Sequence, residues 1–127
     1  MLIEIDFNSS EAIYEQLVDR IIVGIATEEF HDGDALPSVR QLADMIGINM
    51  HTVNKAYGVL QQEGFVKIDR RRGAVIAVDI DKLQALREAE DILGVIFART
   101  HCRGVTRKEV HELVDRIYDQ YERKDVR

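Results

Sequence analysis

The sequence predicts a mostly α-helical protein with a small β wing, in which an N-terminal winged helix-turn-helix (residues 1–78) is followed by a two-helix tail (residues 79–127). Two short amphipathic helices flank a tight Gly-containing turn at residues 47–49, as in a helix-turn-helix. Two β-branched runs around a polar loop follow at residues 65–78 and predict a hairpin, the wing. Two longer apolar stripes at helical spacing occupy the rest of the chain.

Residues 1–7 alternate apolar and acidic side chains, which predicts a short strand or an extended lead-in. The Asn-Ser-Ser sequence at residues 8–10 offers caps for a long amphipathic helix over residues 12–29, whose apolar positions recur every four residues. The polar turn at residues 31–34 and then Pro37 interrupt helix formation before the next element.

Ser38 begins the second helix, because its hydroxyl can accept from the amide of Gln41 while the Gln41 side chain reaches back, an arrangement called a capping box. That helix ends at Gly47, since glycine most easily adopts the left-handed conformation that closes a helix. Asn49 can cap the third helix, which runs until just before Gly64. The wing follows, with strands predicted over residues 65–68 and 74–78.

The charge distribution favours DNA as a partner, although the net charge is −6. Residues 36–73 contain six basic and three acidic residues, a net charge of +3, while the other eleven basic and twenty acidic residues leave −9. Because salt screens charges beyond about 8–10 Å, a local basic face can act within an acidic protein. Three consecutive arginines (residues 70–72) at the wing tip belong to this basic segment.

Composition excludes several classes of protein. With 127 residues, of which 46% are hydrophobic and 31% charged, the chain fits one ordinary domain or two small ones and is not disordered. No apolar run approaches the ~18–20 residues of a membrane span, and the first residues do not resemble a signal peptide. The single cysteine, Cys102, cannot form an internal disulfide. We therefore expect a cytoplasmic protein without a membrane partner.

The tail is predicted to form two helices over residues 82–101 and 106–123, the second with a capping box made by Thr106 and Glu109. Two helices cannot enclose a small-molecule pocket without help from a partner chain, and their apolar stripes need to be covered. Packing on a twofold-related copy would bury the stripes in a four-helix arrangement. The residues expected to form this homodimer contact are Leu86, Leu93, Ile96, Phe97, Val110, Leu113, Ile117 and Tyr121.

Several stretches together resemble the DNA-binding domain of GntR-family regulators over about residues 10–78. They are IYEQL at 13–17, LPSVRQLA at 36–43, Asn49 with TVNKAY at 52–57, LQQEGFV at 60–66, and Arg72-Gly73. The short tail is similar to that of the YtrA-like group, in which it mediates dimerisation. The resemblance implies a sequence-specific, DNA-binding transcription regulator that represses a transporter operon and binds an inverted repeat as a homodimer.

The resemblance also implies which residues contact double-stranded DNA. Arg40 occupies the Pro-Ser-x-Arg position, and the first turn of the third helix enters the major groove. Asn54 can read adenine bidentately, Lys55 can neutralise phosphate, and Gly73 permits close approach of the wing to the minor groove. The candidate DNA-binding residues are Ser38, Arg40, Asn49, His51, Thr52, Asn54, Lys55, Arg70, Arg71, Arg72 and Gly73.

Some roles stay open at the level of the sequence. Ser38 and Asn49 can be helix caps only, and Tyr57 is expected in the core. Met50 stands where many relatives have a basic residue or proline, so it either packs on a thymine methyl or faces the core. Which wing arginine enters the minor groove is undecided, as are the operator, the regulated genes, repression versus activation, and the existence of a small-molecule effector.

Two alternative functions remain, a metal-responsive regulator and a winged helix used for protein–protein contact. His101, Cys102 and His111 lack the tight ligand spacing of structural zinc sites, so no metal site and no cofactor are expected. Motifs such as a nucleophile elbow, a P-loop or HExxH do not occur, so we do not expect an enzyme.

Overall fold

The computed structural model describes residues 3–122 and confirms the predicted fold class, mostly α with a small β wing. The chain divides into two compact units, the first ending at Asp79 and the second beginning at Ile80. The elements of the first unit are α1 (Ile13–Ala26), α2 (Val39–Ile46), α3 (Met50–Gln62), β1 (Val66–Asp69) and β2 (Gly73–Ile76). Those of the second are α4 (Lys82–Cys102) and α5 (Arg107–Glu122).

The predicted caps of α1 at residues 8–10 are wrong. Its N-cap is Ala12, which makes no capping bond through its side chain. The start of the helix is instead tied to the preceding segment by Gln16, which is 2% exposed. The Gln16 side chain accepts from the amide of Asp6 and donates to the carbonyls of Asp6 and Glu11. A buried amide side chain thus satisfies backbone groups of the segment before α1, whereas a serine cap would have accepted from the first amides of the helix.

α1 also ends three residues earlier than expected, at Ala26 rather than near residue 29. The amides of Glu29 and Phe30 both donate to the carbonyl of Gly24, at 2.9 and 3.1 Å, which folds the chain back across the helix end. A Cβ added at Gly24 would lie only 2.4 Å from the nearest atom of the Phe30 ring, so the two would overlap. Only glycine admits this close approach.

The core of the first unit lies between α1, α2, α3 and the hairpin. Tyr57 belongs to it, as predicted, being 5% exposed. Its hydroxyl donates to the carbonyl of Pro37 at 2.7 Å, and burial raises the pKa of the phenol. This bond fastens α3 to the residue just before α2. The largest fully buried side chains are Leu17, Leu42, Ile21, Leu60, Ile76, Val53 and Val66.

The wing is an antiparallel hairpin in which Val66 pairs with Ile76 and Asp69 with Gly73. The loop before α2 pairs with the outer side of β2, through an isolated bridge between Ala35 and Val75. Two further backbone hydrogen bonds, each 2.8 Å long, strengthen this pairing: the amide of Leu36 donates to the carbonyl of Ala74, and the amide of Ile76 donates to the carbonyl of Asp34. The wing is therefore attached to the segment that leads into the helix-turn-helix. Residues 3–6 form no strand.

Neither tail helix buries a residue among those described. The predicted capping box of α5 is present, since the amide of Glu109 donates to the Thr106 hydroxyl and the amide of Thr106 to the Glu109 carboxylate. These bonds lower the pKa of Glu109. The expected last residue of this helix, 123, lies outside the described residues. Within residues 3–122, no helix is long and apolar enough to span a membrane.

Candidate nucleic-acid interface

The start of α2 presents Ser38 and Arg40, both exposed. The predicted capping box is present: the Ser38 hydroxyl accepts from the amide of Gln41 at 3.1 Å, and the Gln41 side chain accepts from the amide of Ser38 at 3.0 Å. The cap uses the hydroxyl oxygen as an acceptor, so its hydrogen remains available to donate to an anion. Ser38 can therefore serve as a cap and as a contact at once.

The turn between α2 and α3 follows the expectation. Gly47 has a φ of 82° and closes α2 with its amide on the carbonyl of Ala43. Asn49 then caps α3, since its side-chain oxygen accepts from the amide of His51 at 2.7 Å. The Asn49 amide group keeps its two N–H donors. The helix start thus directs hydrogen-bond donors outward at its positive dipole end, which suits phosphate.

The exposed side chains of the first turns of α3 include His51, Asn54 and Lys55, while Thr52 is half-buried. Met50 is 43% exposed, which excludes the core placement considered for it. Its thioether stands at the helix start, beside the polar side chains. A methyl group of thymine is the kind of apolar partner that such a position can meet in a major groove.

Lys55 has a partner that the sequence did not indicate. Its ammonium lies over the ring of Tyr14 on α1, 4.0 Å from the ring centroid. A cation held over an aromatic face is stabilised by the ring quadrupole. Lys55 therefore carries its charge at the junction of α1 and α3.

The wing tip is closed by Asp69, whose carboxylate accepts from the amides of Arg71 and Arg72 at 2.7 and 3.0 Å. These bonds, and next the charge of Arg72, lower the pKa of Asp69. Gly73 follows with a φ of 77°, a conformation that glycine adopts without strain. The turn holds the three arginine side chains on a short, well-defined loop.

The three wing arginines are not equivalent. The Arg72 guanidinium donates to the carbonyl of Gly33, in the loop before α2. Arg70 and Arg71 make no side-chain hydrogen bond or ion pair within the part of the chain that the structure describes. Arg72 thus ties the wing to the loop before α2, whereas the other two guanidinium groups keep all of their donors for an external acceptor.

Open grooves surround the first unit, and they differ in charge. The groove between the start of α2, α3 and the wing, called the wing groove below, is lined by two arginines, by polar and small residues, and by the apolar side chains of Leu36, Val39, Tyr57 and Ile68. It carries no acidic residue in its described lining. Its residues of interest are Ser38, Asn54, Gly58, Gln61, Arg71 and Arg72. Two other grooves carry three acidic residues each: Glu29, Asp34 and Asp44 in one, and Glu15, Asp19 and Glu63 in the other.

The residues expected at a homodimer contact are on the surface of the tail helices. Leu86 is 68% exposed, and Leu93, Ile96, Leu113 and Ile117 are between 37% and 45% exposed. Phe97, Val110 and Tyr121 are half-buried. The apolar surface is wider than the stripes that were predicted, because it also includes Ile92, Val95 and Tyr118.

The residues considered as metal ligands, His101, Cys102 and His111, are exposed in the tail. In the described residues, no group of three or more His, Cys, Asp and Glu side chains is placed to hold a metal ion.

The sequence profile of "Bacterial regulatory proteins, gntR family" matches residues 10–76. The HTH-type transcriptional repressor YtrA of Bacillus subtilis (strain 168) is 34% identical over 122 residues, which are 91% of this chain and 92% of that protein. The similarity to this relative thus includes the tail as well as the winged unit.

Two solved structures are similar over most of the chain. YtrA from Sulfolobus acidocaldarius, a GntR-family transcription factor, is 40% identical with a TM-score of 0.67, over 80% of this chain and 99% of that one. The crystal structure of a transcriptional antiterminator from Listeria monocytogenes EGD-e is 29% identical with a TM-score of 0.86, over 100% of this chain and 98% of that one. All three relatives are proteins of transcription rather than enzymes, in agreement with the expectation from the sequence.

Proposed function

This chain belongs to the GntR family of DNA-binding transcription regulators, within which it is YtrA-like, and we propose that it acts as a homodimeric repressor on a short inverted-repeat operator. The family membership confirms the resemblance inferred from the sequence. Repression is supported by the repressor YtrA of Bacillus subtilis, which is similar to this chain over nearly its whole length.

The observation that carries the proposal is the exposure of hydrogen-bond donors at the start of α2, the start of α3 and the wing tip, all within one unit. Arg40 and Asn54 are assigned to the major groove, where guanidinium and amide groups pair with guanine and adenine edges. Arg70 and Arg71 are assigned to the minor groove or its flanking phosphates, because their guanidinium groups have no partner among the described residues.

Homodimerisation through the tail is supported by apolar side chains that neither tail helix buries. Contiguous apolar surface of this kind marks interaction sites. A twofold dimer reads two half-sites related by the same symmetry, spaced by about one helical turn of DNA, so an inverted repeat is the expected operator. The YtrA-like relationship implies a transporter operon as the target.

The test is binding of the full chain to duplexes from the region upstream of its own gene, measured by fluorescence anisotropy. We expect Arg40→Ala to raise Kd about tenfold, since a bidentate base contact contributes roughly 1–3 kcal/mol. The matched control is Arg20→Ala, an exposed arginine on α1, which should stay within about twofold of the wild type.

Salt dependence gives a second check. Binding should weaken steeply with salt, because neutralised phosphates release condensed counterions. Absence of binding to upstream and mixed-sequence duplexes at low salt overturns the proposal. Footprinting of the same region then gives the operator and its symmetry, and an asymmetric protected site contradicts the inverted repeat.

A further inference from the structure

We propose that the wing groove holds the sugar–phosphate strand that separates the major from the minor groove, with Gly58 and Gln61 as its contacts on α3. The inference rests on the proposed DNA binding and deepens it, since neither residue was a candidate from the sequence. If α3 enters the major groove and the wing the adjacent minor groove, one backbone strand has to pass between them. The wing groove is the space between these two elements.

Gly58 is the first observation. It lies inside α3 and is exposed, and a Cβ added there would meet no atom within 4 Å. Packing within the unit therefore does not require a glycine, although glycine in a helix interior weakens the helix relative to alanine. The missing side chain leaves a flat patch of backbone one turn after Asn54 and one turn before Gln61. A strand of DNA that approaches the helix closely accounts for that patch.

The lining chemistry is the second observation. Gln61 and Asn54 provide amide N–H donors, Ser38 a hydroxyl hydrogen, and Arg71 a guanidinium, while the described lining holds no carboxylate to repel an anion. The neighbouring Gln62 lies instead in the groove between α1 and α3, together with Glu15, Asp19 and Glu63. Two adjacent glutamines thus face grooves of opposite charge. The donors of the wing groove can bond to phosphate oxygens, whereas the carboxylates of the groove between α1 and α3 would repel them.

The experiment compares three variants of the full chain by thermal unfolding and by anisotropy with a fluorescent mixed-sequence duplex and an upstream duplex. Gly58→Ala should raise Tm by roughly 4 °C, because alanine strengthens the helix, yet raise Kd about three- to tenfold, because the methyl group meets the strand. Greater stability with weaker binding is a result that a purely structural role for Gly58 cannot produce.

Gln61→Glu and Gln62→Glu form a matched pair, since each adds one negative charge at neighbouring positions of α3. Gln61→Glu should raise Kd about tenfold on both duplexes, with the difference shrinking as salt rises, because the contact is to phosphate rather than to a base. Gln62→Glu should stay within about twofold of the wild type.

The outcomes are separable. The wing-groove contact is overturned if Gly58→Ala leaves Kd unchanged, or if the two glutamate variants have equal effects. In that case the proposed function still stands, provided that the wild type binds DNA. A wild type that binds neither duplex overturns both. If Gly58→Ala does not fold, the glutamine pair decides alone.

Discussion

Arg72 is the wing arginine whose guanidinium is already engaged, by the carbonyl of Gly33. We predict that Arg72→Ala weakens DNA binding and also loosens the wing, since the clip to the loop before α2 is lost. Arg71→Ala should weaken DNA binding by roughly tenfold, because a charge-assisted bond contributes about 1.5–3 kcal/mol. It should not loosen the wing, because the Arg71 side chain makes no bond within the described residues. Amide hydrogen exchange across β1 and β2, measured beside Kd, distinguishes the two.

Arg72→Lys serves as the control, because it keeps the charge but not the planar, forked geometry of the donor. Exchange rates that rise equally in the Arg71 and Arg72 variants would contradict the separate roles. Exchange that rises in neither would show that the bond to Gly33 does not hold the wing.

At this scale the sequence predicts short-range contacts and misses long-range ones. Ser38, Gly47 and Asn49 act as expected because a helix terminus leaves unpaired groups that a side chain within three residues, or a left-handed residue, can satisfy. The contacts of Lys55 with Tyr14 and of Arg72 with Gly33 were not predicted, since their partners are far away in the sequence. Only the packing of α1 on α3 and of the wing on the preceding loop brings them together.

The C-terminal end of α1 depends on Gly24 and Phe30, which approach too closely for any other residue at position 24. We predict that Gly24→Ala lowers the free energy of unfolding by about 1–3 kcal/mol, because the new methyl group overlaps the buried Phe30 ring. Urea denaturation measures the change. The gain in helix propensity from alanine, at most about 1 kcal/mol, opposes the clash and is the smaller effect.

Phe30→Leu provides the control for this prediction. The double variant should lose less stability than the sum of the two single variants, since leucine removes the ring that the methyl group meets. Additive losses would contradict the proposed clash. The periodicity of the sequence extended α1 to residue 29 because apolar spacing does not reveal where a chain folds back.

The wing tip has its own dependence on pH, through Asp69. Its folded-state pKa lies below the ordinary value of 3.8, because the amides of Arg71 and Arg72 donate to the carboxylate. A carboxyl group with a lowered pKa stabilises the fold above its unfolded pKa, and this stabilisation is lost as pH falls through the folded pKa. We therefore predict a tip unaffected by pH at neutrality that loosens only below pH 3.8.

The chemical shifts of the Arg71 and Arg72 amides, followed by NMR as pH falls, measure this transition. The Asp69→Asn variant is the control, because its neutral side-chain oxygen accepts the same bonds and does not titrate. The same acid transition in Asp69→Asn would exclude Asp69 as its cause.

Across the whole molecule, the fold class was predictable because each element carries a local signal: caps and Gly47 for the helix-turn-helix, β-branched runs for the wing, and apolar periodicity for the tail. The sequence indicated the basic wing groove only through the +3 charge of residues 36–73. It did not show which surface of the folded unit carries that charge. Gln61 faces this groove, whereas Gln62 faces an acidic one. This difference depends on helix geometry and on packing, neither of which can be read from composition. The apolar surface of the tail likewise proved wider than its predicted stripes.

The tail gives the last prediction, which concerns the proposed homodimer. Leu93, 39% exposed, belongs to the predicted stripe of α4, whereas its neighbour Ile92, 63% exposed, does not. Leu93→Asp should convert the dimer to a monomer, because an unpaired carboxylate in an apolar contact is strongly unfavourable. Ile92→Asp should weaken the dimer less, because Ile92 lies one turn from Ile96 at the edge of that stripe. Analytical ultracentrifugation measures both.

Loss of the dimer should affect DNA binding in a specific way. Two linked binding units gain about 10²–10⁴ in apparent affinity over one, so Leu93→Asp should lose affinity for a full inverted repeat by up to this factor. Its affinity for a half-site duplex should stay the same, since the contacts of α2, α3 and the wing all belong to the first unit. A monomeric wild type, or equal dissociation of the two variants, would contradict this interface, and equal losses on both duplexes would show that the substitution had damaged the winged unit itself.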